Sequence, residues 1–192
     1  FRKNGVREKT NLLFMSGQPS IFAVEKYAKT LRQVIQRKGI EAKFRESLVA
    51  VDGPAREATF ENLDSGERTV IHYDLLHVVP PMSAPDFIRN SPLANSDGWV
   101  EVDKDNLRHL RYANVFSLGD ASSLPTSKTG AAIRKQAPVL VKNLVSAILG
   151  RQPAATYDGY TACPLVTGYG KLVMAEFDYN NEPQETFPFD QS

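Results

Sequence analysis

Between Asn11 and Phe44 the hydrophobic pattern changes period twice, and that change constrains the fold more than any other feature of the 192-residue sequence. The short apolar run Asn11 to Met15 reads as a strand, and Ser16-Gly-Gln-Pro19 reads as a turn. From Ser20 to Lys38, Val24, Tyr27, Ala28, Leu31, Val34 and Ile35 fall at helical spacing, Gly39 supplies a stop, and Glu41 to Phe44 reads as the next strand. Strand, helix and strand in this order predict a βαβ unit with parallel strands, hence an α/β fold.

The pattern then shortens. Leu48 to Val51, Ala58 to Phe60 and Thr69 to His72 alternate like strands and are separated by turns at Asp52-Gly-Pro54 and Asp64-Ser-Gly66, which predicts a β-meander. Leu75-Leu-His-Val-Val79 before Pro80-Pro81 is expected to be a buried strand that stops as the chain leaves for another domain, with a boundary near residue 81. Beyond a Pro/Ser/Asn-rich connection, Trp99 to Val102 and Asn114 to Leu118 are expected as strands. A helix is expected from about Thr129 to Leu149, with Ile133, Ala137, Leu140, Val141, Leu144, Val145 and Ile148 at its apolar positions, Pro138 kinking it and Gly150 ending it. A further strand is expected between Tyr169 and Tyr179, followed by a Pro/Phe-rich tail.

Composition narrows the functional classes. With 42% hydrophobic and 23% charged residues and a net charge of +1, the chain resembles ordinary globular proteins, and its near-neutral charge argues against nucleic acid as a partner. Cys163 is the single cysteine, which excludes an internal disulfide and a multi-cysteine metal site, and His72, His77 and His109 lack metal-ligand spacing. No apolar run approaches the roughly 20 residues that span a bilayer, and the start Phe-Arg-Lys-Asn-Gly has neither an initiator Met nor a signal-peptide core, as expected of an excised piece.

The stretch Asn114-Val-Phe-Ser-Leu-Gly-Asp-Ala121 carries the most chemical information. Gly119 lets backbone approach a ligand closely, and the Asp120 carboxylate can accept hydrogen bonds from polyol hydroxyls. The same residues also suit a simple turn with an Asp helix cap. Cys163, between Ala162 and Pro164, is either a small buried hydrophobe or a thiolate nucleophile. Lys128 is either a solvated loop lysine or a cation aimed at a ligand.

The Gly-Asp motif after a hydrophobic strand resembles the two-dinucleotide-domain flavoprotein disulfide reductases, where it reaches the ribityl chain of FAD. The longer run Val115 to Thr129, together with Tyr157-Asp-Gly-Tyr-Thr-Ala-Cys-Pro-Leu-Val-Thr-Gly-Tyr169, Ala175 to Tyr179, Leu76 to Met82 and Glu185 to Gln191, resembles the sulfide:quinone oxidoreductases, especially the mitochondrial branch. The resemblance covers nearly the whole chain. It implies a partial Rossmann-like FAD/NAD(P)-binding fold in which residues 1–81 are most of the NAD-type domain, 82–150 the C-terminal part of the FAD domain, and 151–192 the start of a quinone and membrane region.

The implied activity is oxidation of hydrogen sulfide to sulfane sulfur on a cysteine, with electrons passing through FAD to a quinone and the sulfur to an acceptor. Cys163 matches the second of the family's two flavin-flanking cysteines, and the first is expected upstream of Phe1. Gly119, Asp120, Lys128 and Thr129 match its flavin-contacting positions. No Gly-x-Gly-x-x-Gly occurs in the sequence, so the FAD site is expected to be incomplete and the chain alone inactive. Many bacterial relatives carry Lys-Thr-Gly-Tyr near the second cysteine, where this chain has Val166-Thr-Gly-Tyr-Gly-Lys171. Lys171 is either a strand-edge charge or a residue of proton delivery or quinone binding, and Arg134 and Lys135 face either solvent, as helix-surface charge ordinarily does, or flavin.

Resemblance further implies peripheral contact with the bacterial cytoplasmic or mitochondrial inner membrane through regions beyond this chain, which should itself be soluble. An FAD domain cut this way is expected to leave surfaces through which copies can pair. The alternatives from the same residues are a type II NADH:quinone dehydrogenase or another pyridine nucleotide-disulfide oxidoreductase-like flavoprotein, and a non-catalytic βαβ interaction module.

Overall fold

The computed structural model describes residues 1–192 and divides into two compact units, Phe1–Val79 and Pro80–Ser192. In the first, β1 (Leu12–Ser16) and β2 (Ile40–Phe44) run parallel, in register from Leu12 opposite Ile40 to Ser16 opposite Phe44. They are joined through helix α1 (Glu25–Arg37), which buries Tyr27, Ala28 and Val34. The helix begins five residues later than its hydrophobic spacing suggests. The Phe22 ring meets the Tyr27 ring edge-on at 6.2 Å, so the entry segment packs across the first turn instead of joining it.

Strands β3 (Glu46–Asp52), β4 (Glu57–Asn62) and β5 (Arg68–His72) form the expected antiparallel meander. Its turns are held by side chains: Asp52 Oδ1 accepts from the Ala55 N–H at 2.9 Å, and Asn62 Oδ1 from the N–H groups of Asp64 and Ser65 at 3.0 and 2.9 Å. The buried strand expected at Leu75–Val79 does not form. Leu75 is 75% and Val79 82% exposed, with no partner strand beside them, so an apolar run before two prolines becomes open connection.

The second unit is built largely from turns around one core of Val100, Val102, Leu107, Leu124 and Tyr157. The strands expected at Trp99–Val102 and Asn114–Leu118 are reduced to isolated bridges: Val100 to Ala94 and Ser122, Val102 to His109, and Arg108 to Phe116. Leu107, fully buried in left-handed backbone at φ 66°, folds the chain back on itself before either ladder can lengthen. The one-turn helix α2 (Asp86–Arg89) precedes them.

Helix α3 (Gly130–Ile148) carries Pro138 within it, and Gly150 follows in the left-handed conformation that ends helices. Its packing departs from the sequence expectation in its C-terminal half, although Ile133 packs on Gly119 and Leu140 against the core. Ala132, Gln136, Asn143 and Ser146 are buried, whereas Val141, Leu144, Val145 and Ile148 are exposed. The inward face meets irregular backbone with unpaired polar groups, which amides can satisfy and aliphatic side chains cannot. Asn143 Nδ2 donates to the carbonyls of Asn106 and Ala155, and its Oδ1 accepts from the N–H groups of Ala154 and Ala155.

Strands β6 (Thr161–Gly168) and β7 (Lys171–Phe177) form an antiparallel hairpin that sets Cys163 opposite Ala175. Sequence reading placed only β7 here. Pro164 inside β6 masks the strand, although an exposed position in a two-stranded ribbon tolerates a missing N–H. No helix is long and apolar enough to cross a membrane.

Candidate active site

Leu118 is extended, and the chain then closes into a single tight turn over Gly119–Ala121. Gly119 is required there on two grounds: its φ is +64°, and a Cβ would stand 3.0 Å from Ile133 Cδ1. Its N–H donates to the buried Gln136 Oε1 at 2.8 Å, and its carbonyl accepts from Ser122 Oγ at 2.7 Å. Close packing of turn on helix, rather than an approaching ligand, therefore explains the glycine within this chain. Asp120, next in line, is exposed, so its carboxylate is available to hydroxyl donors.

Lys128 is not a solvated lysine. Its Nζ donates to the Ser122 carbonyl at 2.6 Å and lies 3.9 Å from the centre of the Trp99 ring. Burial pulls its pKa below the ordinary lysine range, while the nearby Asp120 charge works the other way. Thr129 caps α3, its hydroxyl accepting from the Ala132 N–H at 3.1 Å. Gly130 follows with open space where a Cβ would sit, so the first turn of α3 presents its backbone without side-chain cover.

Hydroxyls join this loop to the cysteine strand. Thr161 Oγ1 donates to the Ser127 carbonyl at 3.2 Å and shares a 2.9 Å bond with Thr129 Oγ1, and Thr126 Oγ1 donates to the Gly159 carbonyl at 3.3 Å. Cys163 lies two residues beyond Thr161 on the same face of β6, half-buried and free. Burial raises its thiol pKa, and a hydrogen bond with the Ser127 side chain partly offsets that rise. The structure thus brings Cys163, Lys128 and Thr129 to one loop–strand junction, with Gly119 and Asp120 at the turn that anchors Lys128.

Alternate residues of the hairpin build a second polar centre around Glu176, only 2% exposed. Its carboxylate accepts from the Tyr160 hydroxyl, from the Thr186 N–H at 2.7 Å and from Thr186 Oγ1 at 2.8 Å. Burial would raise the Glu176 pKa, but these hydrogen bonds prevail and hold it below the ordinary range. The Tyr160 hydroxyl is pushed up to about 12, by burial first and then by the neighbouring carboxylate. Lys135 Nζ stands 5.2 Å over the Tyr160 ring, so this helix-surface charge faces an aromatic rather than solvent alone. Lys171 opens β7 in an exposed position.

Sequence reading missed Trp99, Ser127, Thr161 and Glu176. Their roles depend on partners up to 34 residues away, and the strand that sets Thr161 and Cys163 on one face was not expected from the sequence. Among the residues here, no group of three or more His, Cys, Asp or Glu is arranged to hold a metal ion.

An FAD isoalloxazine and ribityl chain fit this donor set in part. An exposed carboxylate, a desolvated ammonium and an uncovered helix start are suited to polyol hydroxyls and an electron-rich ring edge, whereas no glycine-rich diphosphate loop occurs in the chain. The architecture matches part of the fold of known flavoprotein structures. Its fold is shared with the sulfide:quinone oxidoreductase of Aquifex aeolicus, at TM-score 0.76 and 17% identity over 90-odd per cent of this chain (91%) and 44% of that one. It is shared also with the thioredoxin reductase of T. acidophilum, at TM-score 0.54 and 16% identity over 72% of this chain and 45% of that one. A chain in the mitochondrial ATP synthase of Tetrahymena thermophila matches with TM-score 0.78 and 28% identity, covering 90% of this chain and 42% of that one.

In sequence the chain is a relative of the mitochondrial sulfide:quinone oxidoreductases. It is 49% identical to that of Mus musculus and 50% identical to that of Dictyostelium discoideum, in each case over 100% of its own length. It spans only 43% and 42% of those two relatives. No protein-family model matches it.

Proposed function

We propose that this chain is part of an FAD-dependent sulfide:quinone oxidoreductase, in which the sulfur of hydrosulfide, oxidised by two electrons, is left on Cys163 as a persulfide. The observation that carries the reading is the junction of Cys163 with the Ser127–Thr129 loop, in a chain about half identical throughout to enzymes of that name. In this reading residues 1–81 belong to the NAD-type domain, 82–150 to the FAD domain and 151–192 to the start of the quinone region.

Sulfur transfer needs a soft nucleophile that makes and breaks S–S bonds through its thiolate. Cys163 supplies it: the thiol and HS− become a persulfide, one proton is released, and two electrons leave. Bound FAD supplies the two-electron acceptance, and a quinone takes the pair onward. This chain's own residues do the holding. Asp120 would accept hydrogen bonds from FAD hydroxyls, Thr129 and Gly130 would offer the start of α3, and the Lys128 ammonium would supply positive charge that favours a reduced, anionic flavin. Ser127 donates to the sulfur, favouring the thiolate that burial opposes. A sulfane acceptor clears the persulfide, and quinone is drawn from a membrane that the protein meets peripherally.

Mass spectrometry of the flavin-loaded protein containing this chain, after sulfide with quinone, tests the assignment. One added sulfur atom on the Cys163 peptide, removed by a reductant, is the expected result. An unmodified Cys163 alongside full turnover contradicts it.

A further inference from the structure

The ammonium of Lys128 occupies a fixed point, and that is unusual for a long side chain on a loop, which ordinarily keeps its rotamer freedom. Two partners restrain it: the Ser122 carbonyl at 2.6 Å and the Trp99 ring centre at 3.9 Å. Both stand on backbone that is itself tied down. The Trp99 N–H donates to Asn95 Oδ1 at 3.0 Å, while its carbonyl accepts from the Asn95 N–H at 2.8 Å, so a short closed loop carries the indole. Its neighbour Val100 pairs with Ser122, donating its N–H to the Ala121 carbonyl and accepting from the Ser123 N–H, both at 2.9 Å. The ring and the carbonyl that grip Lys128 therefore belong to one braced frame, built on the same turn that presents Asp120.

We infer that Trp99 is a positioning residue: its indole face holds the Lys128 ammonium against the Ser122 carbonyl, beside Asp120, at the point from which it meets the flavin. The inference rests on the proposed role of Lys128 and adds what fixes it there. An indole face attracts a cation without offering a lone pair, so it restrains the ammonium and consumes no N–H. Of three N–H donors, one serves Ser122 and the others remain for an anionic acceptor. Partial removal of Lys128 from water, visible in its lowered pKa, strengthens what the charge can do at short range. Phenylalanine retains a weaker aromatic face at this position, and leucine retains bulk without one.

Two measurements test the inference. Trp99 is the only tryptophan, so its emission reports on the ammonium directly in this chain. Lys128→Met should change the emission intensity at pH 7 and abolish a titration lying below the ordinary lysine range. Identical emission and titration in the two proteins would overturn the contact.

The second measurement is the flavin reduction potential of the flavin-loaded protein containing this chain. Lys128→Met should lower it, since a cation no longer favours the anionic reduced ring. Trp99→Leu should lower it in the same direction, and Trp99→Phe should keep it near the wild-type value. A shift in Lys128→Met with none in Trp99→Leu overturns the positioning role alone. No shift in Lys128→Met overturns the flavin-facing reading of the lysine, and the role of Trp99 with it.

Discussion

The hydroxyls of Thr129 and Thr161 lie 2.9 Å apart, and the direction of the hydrogen bond between them follows from their other partners. Thr161 spends its one hydroxyl proton on the Ser127 carbonyl, so Thr129 must donate to Thr161 while accepting from the Ala132 N–H. A single relay of donors thus runs from the first turn of α3, through the loop that bears Lys128, to the strand that bears Cys163.

Thr161→Val should break that relay with little change of shape. The half-buried Ser127 carbonyl and Thr129 hydroxyl both lose their partner, the fully buried Thr161 hydroxyl, which costs about 1–3 kcal/mol. Urea unfolding should show a lower midpoint with an unchanged slope. A wild-type midpoint would mean the relay contributes nothing.

Cys163 should alkylate with a pH profile displaced above that of a free thiol, because burial favours its neutral form. Ser127→Ala should displace the profile further upward, and Ser127→Thr should restore part of the difference. The folded thiol holds its proton more tightly than the unfolded one. Its contribution to stability is therefore full below the free-thiol range and lost as pH rises through the folded value. Iodoacetamide rates between pH 6 and about pH 10, the span around ordinary thiol titration, decide the matter.

Gly119→Ala should destabilise the second unit by about 1–2 kcal/mol, the usual cost of a side chain in left-handed backbone. The contact with Ile133 adds to that. Ile133→Val in the same protein should recover only the share of the packing cost due to Cδ1, leaving the contact with Cγ1 and the backbone part, as thermal unfolding of the double variant would show.

Glu176→Gln should lower stability at neutral pH by about 1–3 kcal/mol, through weakened bonds to Tyr160 and Thr186. Because the folded carboxyl titrates below its unfolded value, its contribution is present above the ordinary range near pH 4 and lost as pH falls through the folded value. The acid limb of stability should therefore be shallower in the variant than in the wild type. Equal slopes would remove Glu176 as the anchor of residues 184–186.

The first unit was legible as far as His72 because its signals there are local, whereas the apolar run Leu75–Val79 was misread as a strand. A helical period between two apolar runs specifies β1, α1 and β2, and turn residues at Asp52–Pro54 and Asp64–Gly66 specify the meander. The second unit resisted reading because its organisation is not periodic. Trp99–Val102 and Asn114–Leu118 have strand composition, yet each finds only single bridges around the left-handed Leu107. Helix α3 was found from its apolar spacing, but from Val141 onward that stripe faces outward while Gln136 and Asn143 serve loop backbone inside, a choice set by partners distant in sequence. Of the candidate site, Gly119, Asp120, Lys128, Thr129 and Cys163 were proposed through motif resemblance, and the fold gathers Lys128, Thr129 and Cys163 at one loop–strand junction. Trp99, Ser127 and Thr161 were not proposed, since nothing in their residue types marks them apart from the groups they touch.

The most direct test is stopped-flow absorbance of the flavin-loaded protein containing this chain, mixed with sulfide, for wild type and Cys163→Ser. Flavin bleaching through a long-wavelength charge-transfer band in the wild type, absent from the variant, is the result expected if Cys163 relays the sulfur. Equal bleaching of both, or a flavin that ignores sulfide and is reduced by NADH, would contradict the assignment.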